Sequence, residues 1–274
     1  MVAKRVSVVL LCCAVSCATA DRSPESRLVA AKAGLMAADY RADLATLAAL
    51  RTEIAPLMDD PTLGYLASYW SGFASWRIAI NGASANMSQA DLKANLARAA
   101  SDFETSVRKR DDFADAYAAA SGAHGWLVGL NRNDPAAARP HIDSAIRLLK
   151  RAAELEPSNP RVLWVQGGNY LFNPPAYGGN HQRAIETYHK QIEASAPLMP
   201  QSPLPDWGKA EALMSLAYAH LNESPPDLAA ASEEAQAALH LQPEWHYVRD
   251  ILVPQIEASR KQAGSTKQCS PPSQ

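Results

Sequence analysis

The chain has 274 residues, 47% of them hydrophobic and 20% charged, with a formal net charge of -2. This composition is globular rather than disordered or collagen-like, and the length suits one large domain or two small ones. Near-neutral charge argues against non-specific nucleic-acid binding, because no basic excess is present to displace phosphate counterions. Alanine, the strongest helix former, fills 52 positions, which argues against an all-β fold.

The first 20 residues read as an export signal. Lys4 and Arg5 begin it, a run from Val6 to Val15 that is apolar apart from Ser7 follows, and Ala18-Thr19-Ala20 forms a small-residue cleavage site before Asp21. The run falls short of the roughly 20 residues that span a bilayer, and no later segment approaches that length. A second reading is open, because Val15-Ser16-Cys17 resembles a bacterial lipobox in which Cys17 is lipidated and anchors the chain to a membrane surface. Either reading places the protein in the periplasm or on a membrane, with membrane contact expected only if Cys17 is lipidated. Cleavage after Ala20 leaves Cys269 as the single cysteine, so no internal disulfide is expected. It also removes two of the 26 basic residues and none of the 28 acidic ones, moving the net charge from -2 to -4.

From residue 25 onward, apolar residues recur at three- and four-residue spacing, which predicts helices almost throughout. They are expected near 25–55, 62–81, 89–109, 113–130, 135–156, 160–172, 181–196, 207–222, 227–241 and 245–259. Breaks fall at Pro56, Pro61, Asn81-Gly82, Pro157, Pro174-Pro175, Pro225-Pro226 and Pro243. Pro140 lies inside a predicted helix and marks a kink or a late start. Ser88 followed by Asp91 predicts a helix cap. Residues 21–60 are taken as a leading helical segment, 61–259 as the main domain and 260–274 as a disordered tail.

The helices repeat. Ala145-Ile146, Leu149, Ala152-Ala153 and Pro157 recur as Ala231, Ala235, Ala238-Leu239 and Pro243, and the helices before them match through Leu163, Gln166-Gly167 and Tyr170 against Leu213, Leu216-Ala217 and His220. This spacing resembles the tetratricopeptide repeat (TPR), a helix–turn–helix of 34 residues. The resemblance covers about residues 90–243 and implies an all-α fold: a TPR-like α-solenoid of antiparallel helix pairs, with a leading helix and a C-terminal capping helix. It also implies a concave groove lined by the first helix of each pair, where a protein or peptide partner lies. Carried onto this sequence, the groove positions are Arg161 and Trp164, then Glu211, Met214 and Tyr218, and Asp115 in a weaker repeat. Trp164 and Tyr218 are the expected anchors.

No metalloprotease, nucleophile-elbow, nucleotide-loop or paired-cysteine motif occurs after residue 20. The seven histidines show no metal spacing on one helix, so no metal and no cofactor is expected. Tyr177-Gly178-Gly179-Asn180 precedes a helix. The main reading is a tight turn capped by Asn180, and the alternative is a ligand contact through backbone N–H groups. Tyr65, Tyr69, Trp70, Phe73 and Trp76 form a helical stripe read as core, with Trp70, Trp76 and Trp126 the candidates to line an apolar ligand cavity.

The expected function is a non-enzymatic exported adaptor that holds a protein or peptide partner in the bacterial envelope, without nucleic acid. The alternative is a solute- or lipid-binding accessory of a periplasmic transport system.

Overall fold

The computed structural model describes residues 23–268, so the expected export signal with its Cys17, and Cys269, lie outside the described residues. Among the described residues there are eleven α-helices and no strand. They are α1 Pro24–Tyr40, α2 Leu44–Ile54, α3 Gly64–Ser84, α4 Gln89–Lys109, α5 Ala114–Leu130, α6 Pro135–Leu155, α7 Pro160–Phe172, α8 His181–Ala194, α9 Lys209–Leu221, α10 Leu228–Leu241 and α11 Val253–Gln268. Among them no helix is long and apolar enough to cross a membrane.

Local chemistry sets the starts. Asp43, Ser88, Asp134, Asn159, Asn180 and Asp227 each accept a backbone N–H of the helix they precede. Pro24, Pro135 and Pro160 open their helices, where a missing N–H costs nothing. Pro140 sits inside α6 and neither starts nor ends it, since so near the N-terminus it removes a single intrahelical bond.

Two boundaries differ from expectation. The single helix expected over 25–55 is two, because Ala42 turns left-handed at φ 54° and Asp43 caps a new helix through Thr46 N at 3.0 Å. A local side-chain bond here overrides the periodicity of an alanine-rich run. At the other end, the expected disordered tail is helical as far as Gln268. A π-helical turn, Tyr247–Leu252, leads into this helix, and Arg260 donates to the Leu228 carbonyl at 2.9 Å. Pro254 lies in the first turn of this helix, where it is tolerated, and the next proline is Pro271.

Consecutive helices pack as neighbours from α1 to α10, and alternate helices also touch, α1 on α3, α5 on α7 and α7 on α9. Small residues permit this. The Gly72 backbone lies against the Phe103 ring and the Gly167 backbone against the Tyr188 ring, leaving no room for a methyl group at either glycine. The main core joins Leu28, Leu35, Leu47 and Ile54 of the leading helices to Trp70, Phe73, Trp76 and Phe103, so residues 24–59 are part of the body rather than an arm. Trp207 belongs to the same core, far along the chain.

Candidate functional site

The 14 residues between α8 and α9, 195–208, bridge α1 and α3 to α7 and α8. Connections this long without secondary structure are uncommon in compact domains. Lys32 on α1 pairs with Asp206 at 2.7 Å, both side chains nearly inaccessible at 5% and 7% exposure. Lys32 also donates to the carbonyls of Met199 at 3.1 Å and Ser202 at 3.0 Å. Trp70 Nε1 donates to Pro203 O at 2.7 Å, and Trp207 Nε1 to the Tyr69 hydroxyl at 3.0 Å. From the other side Arg161 donates to Trp207 O at 3.2 Å and Gln191 to Gly208 O at 2.7 Å. Most of these bonds end on backbone carbonyls of the segment. Gly208 ends the segment at φ 144°, hard against Pro160, a place only glycine fills without strain.

The expected groove residues are occupied by this arrangement. Asp115 and Arg161 face each other as a buried ion pair at 2.5 Å, and Asn159 donates a further bond to Asp115 at 3.1 Å. Burial opposes the Arg161 charge, but the Asp115 carboxylate outweighs it and keeps the guanidinium protonated. Glu211 is buried beneath Tyr40, whose hydroxyl donates to it at 2.6 Å, and it accepts Gly208 N–H at 2.8 Å. Desolvation pushes the Glu211 carboxyl up from its ordinary value, against the pull of the Tyr40 bond. Trp164 is wedged between Trp76 and Trp207, with Nε1 donating to Ser215 at 3.2 Å. Asp115, Arg161, Glu211 and Trp164 thus turn to the chain itself instead of an open groove. Met214 and Tyr218 are half-buried beside the Trp245–Val248 cluster.

The glycine loop is closed in the same way. Tyr177 and Gly179 donate their N–H groups to Pro174 O, Gly178 to Pro175 O and Asn180 to Tyr170 O, so these amides are not free for an anion. Gly178 is left-handed at φ 88°, and a Cβ on Gly179 would stand 1.7 Å from Asn173 O. Asn180 caps α8 through Arg183 N at 2.9 Å.

Trp70 and Trp76 are fully buried while Trp126 lies at the surface, so the three line no common cavity. The stripe read as core is core, with Tyr65 at its edge. Two open depressions, of about 270 and 320 Å³, are lined mostly by polar residues around Asn131 and around Thr62, away from these tryptophans.

Two large aromatic side chains remain outside. Phe172, at the end of α7, is 66% exposed and lies 5.7 Å from the Tyr218 ring, and Tyr177 is 79% exposed in the loop that follows. Phe172 was not singled out by sequence, because an aromatic at a helix end followed by Asn-Pro-Pro reads as ordinary packing. Next to this loop, His181 and His220 lie 3.8 and 3.3 Å from Glu223, and His220 also lies 3.5 Å from Glu234. Desolvation raises the Glu234 carboxyl to about 7, with His220 opposing the rise.

No family model matches the chain, and no curated protein matches it. Its helical arrangement is shared by a solved structure. The chain is similar in fold to the HusA haemophore from Porphyromonas gingivalis. The TM-score is 0.54 at 20% identity, and the match covers 72% of this chain and 90% of the haemophore. At that identity the likeness is one of fold.

Proposed function

We propose that this protein is an exported, non-enzymatic binding protein built as a TPR-like α-solenoid, and that it receives a protein or peptide partner in the bacterial envelope. Its contact face is the aromatic patch of Phe172, Tyr177 and Tyr218, and the inner groove holds residues 195–208 of the chain itself. The observation that carries this reading is the exposure of Phe172 and Tyr177 at 66% and 79%, where large aromatic side chains dominate interface energetics. Inside, the groove side chains already have partners. Export rests on the signal at residues 1–20, and attachment to a membrane follows only if Cys17 is lipidated.

The test is affinity capture from envelope extract with the exported protein as bait, with retained proteins and retained small molecules both read by mass spectrometry. One specific protein that is lost from a Phe172→Ser, Tyr177→Ser variant supports the reading. Equal capture by that variant contradicts it.

A second reading is favoured by the likeness to a haemophore: the same face takes a flat apolar solute such as haem. Titration with haem, followed by absorbance, distinguishes the two readings. Saturable binding that the double variant loses would replace the protein partner with a solute.

A further inference from the structure

His124 on α5 and His141 on α6 approach each other through their Nδ1 atoms at 3.0 Å, with ring planes 33° apart. On the far side of His124, Nε2 lies 3.1 Å from Glu104 Oε1 on α4. A carboxylate oxygen accepts, so this contact favours the neutral tautomer with hydrogen on Nε2, in which Nδ1 carries the lone pair. His124 is buried and His141 half-buried, so the pair sits at the rim of the α5–α6 interface, within reach of water. The arrangement has the elements of a metal site: an imidazole lone pair with a fixed direction, a carboxylate that fixes its tautomer from behind, and a second imidazole at ligand spacing. Two nitrogens bound at about 2.0 Å stand about 2.8 Å apart when cis in a square plane and about 3.3 Å apart in a tetrahedron, and 3.0 Å lies between.

We propose that His124 and His141 form a two-histidine site for a divalent transition-metal cation that favours imidazole, with Cu(II) held most tightly and Zn(II) less so. Glu104 is its positioning residue. Among the described residues no three His, Cys, Asp or Glu side chains are grouped to hold a metal, so the protein supplies two ligands and water supplies the others. Such a site exchanges its ion readily, and copper exceeds zinc there as it does at most nitrogen sites. The site is separate from the Phe172–Tyr177–Tyr218 face and does not depend on the function proposed for that face.

The test uses the full chain with its cysteines alkylated, titrated with Cu(II) alone and then with Zn(II) alone. Calorimetry should show one saturable equivalent, and the Cu(II) electron paramagnetic resonance spectrum should carry hyperfine coupling from two imidazole nitrogens. His141→Gln and His124→Gln should each weaken binding by tenfold or more, and Glu104→Ala by about tenfold through loss of the hydrogen bond that orients the His124 ring. His141 is half-exposed, so His141→Gln carries the test if His124→Gln fails to fold. Undiminished binding by a folded His141→Gln variant overturns the proposal. So does the absence of any saturable uptake, which would leave the pair as a histidine–histidine hydrogen bond only.

Discussion

Tyr40 and Glu211 are joined by a 2.6 Å hydrogen bond across 171 residues of sequence, and this contact ties the end of α1 to the first turn of α9. Both side chains are buried, and the Tyr40 ring meets Trp245 edge-on at 5.0 Å. Burial and the nearby carboxylate hold the Tyr40 hydroxyl protonated well above its ordinary value, so it remains a donor. Tyr40→Phe keeps the ring and removes the donor. The Glu211 carboxyl then keeps Gly208 N–H but loses its side-chain donor, and the expected loss is roughly 1–3 kcal/mol in urea denaturation. A loss below about 0.5 kcal/mol would show that this contact does not tie the ends together.

The Asp115–Arg161 pair calls for a double-mutant cycle. Arg161→Met leaves the Asp115 charge buried without its cation, which should cost about 3–5 kcal/mol. Adding Asp115→Asn should recover much of that loss, because the uncompensated charge disappears with it. Additive losses would mean that the two side chains act independently.

Much of the helical layout was legible in the sequence. The bounds 89–109 and 160–172 follow from local signals, the Ser88 cap for the first and the proline break at Pro157 for the second. The break at Ala42 was not legible, because Ala42 continues the helical pattern and only the Asp43–Thr46 bond opposes it. The residues expected to line a groove lie on helices the sequence predicts, yet their surroundings were not foreseen. Arg161 and Glu211 find partners 46 and 171 residues away, and no local pattern encodes the return of 195–208 across the body. Lys32, Arg77 and Asp39 went unnoticed for the same reason, although Arg77 and Asp39 form a buried pair at 2.6 Å. In sequence they are charged residues on helices, and burial alone distinguishes them.

Two glycines should respond in opposite directions to alanine. Gly125 lies within α5 with nothing near the place of a Cβ, so Gly125→Ala should stabilise by roughly 0.5–1 kcal/mol. A Cβ on Gly167 would stand 2.5 Å from the buried Tyr188 ring, so Gly167→Ala should destabilise by about 1–3 kcal/mol. Melting temperatures of the two variants check both signs, and a rise for Gly167→Ala would show that α7 and α8 are not in close contact.

Glu234 should make stability depend on pH. Desolvation raises its carboxyl from 4.5 to about 7 in the folded protein, so between those values the native state binds more proton than the unfolded chain. Stability from this group is therefore full below about pH 4.5 and falls as pH rises through 7. Glu234→Gln cannot titrate. Relative to that variant, the wild-type protein should lose melting temperature between pH 5 and pH 8. A difference that is flat or of opposite sign would place the Glu234 carboxyl at its ordinary value.

The most direct test of the binding face is site-specific photo-crosslinking in the envelope. A photoreactive phenylalanine analogue would be placed at the exposed Tyr177 or Phe172, and at the half-buried Trp164 between Trp76 and Trp207. The expected result is a discrete crosslinked partner from positions 172 and 177 and none from 164. A partner captured from position 164 alone would contradict the assignment, because it would mean that the segment 195–208 leaves the groove and that the groove itself is the binding site.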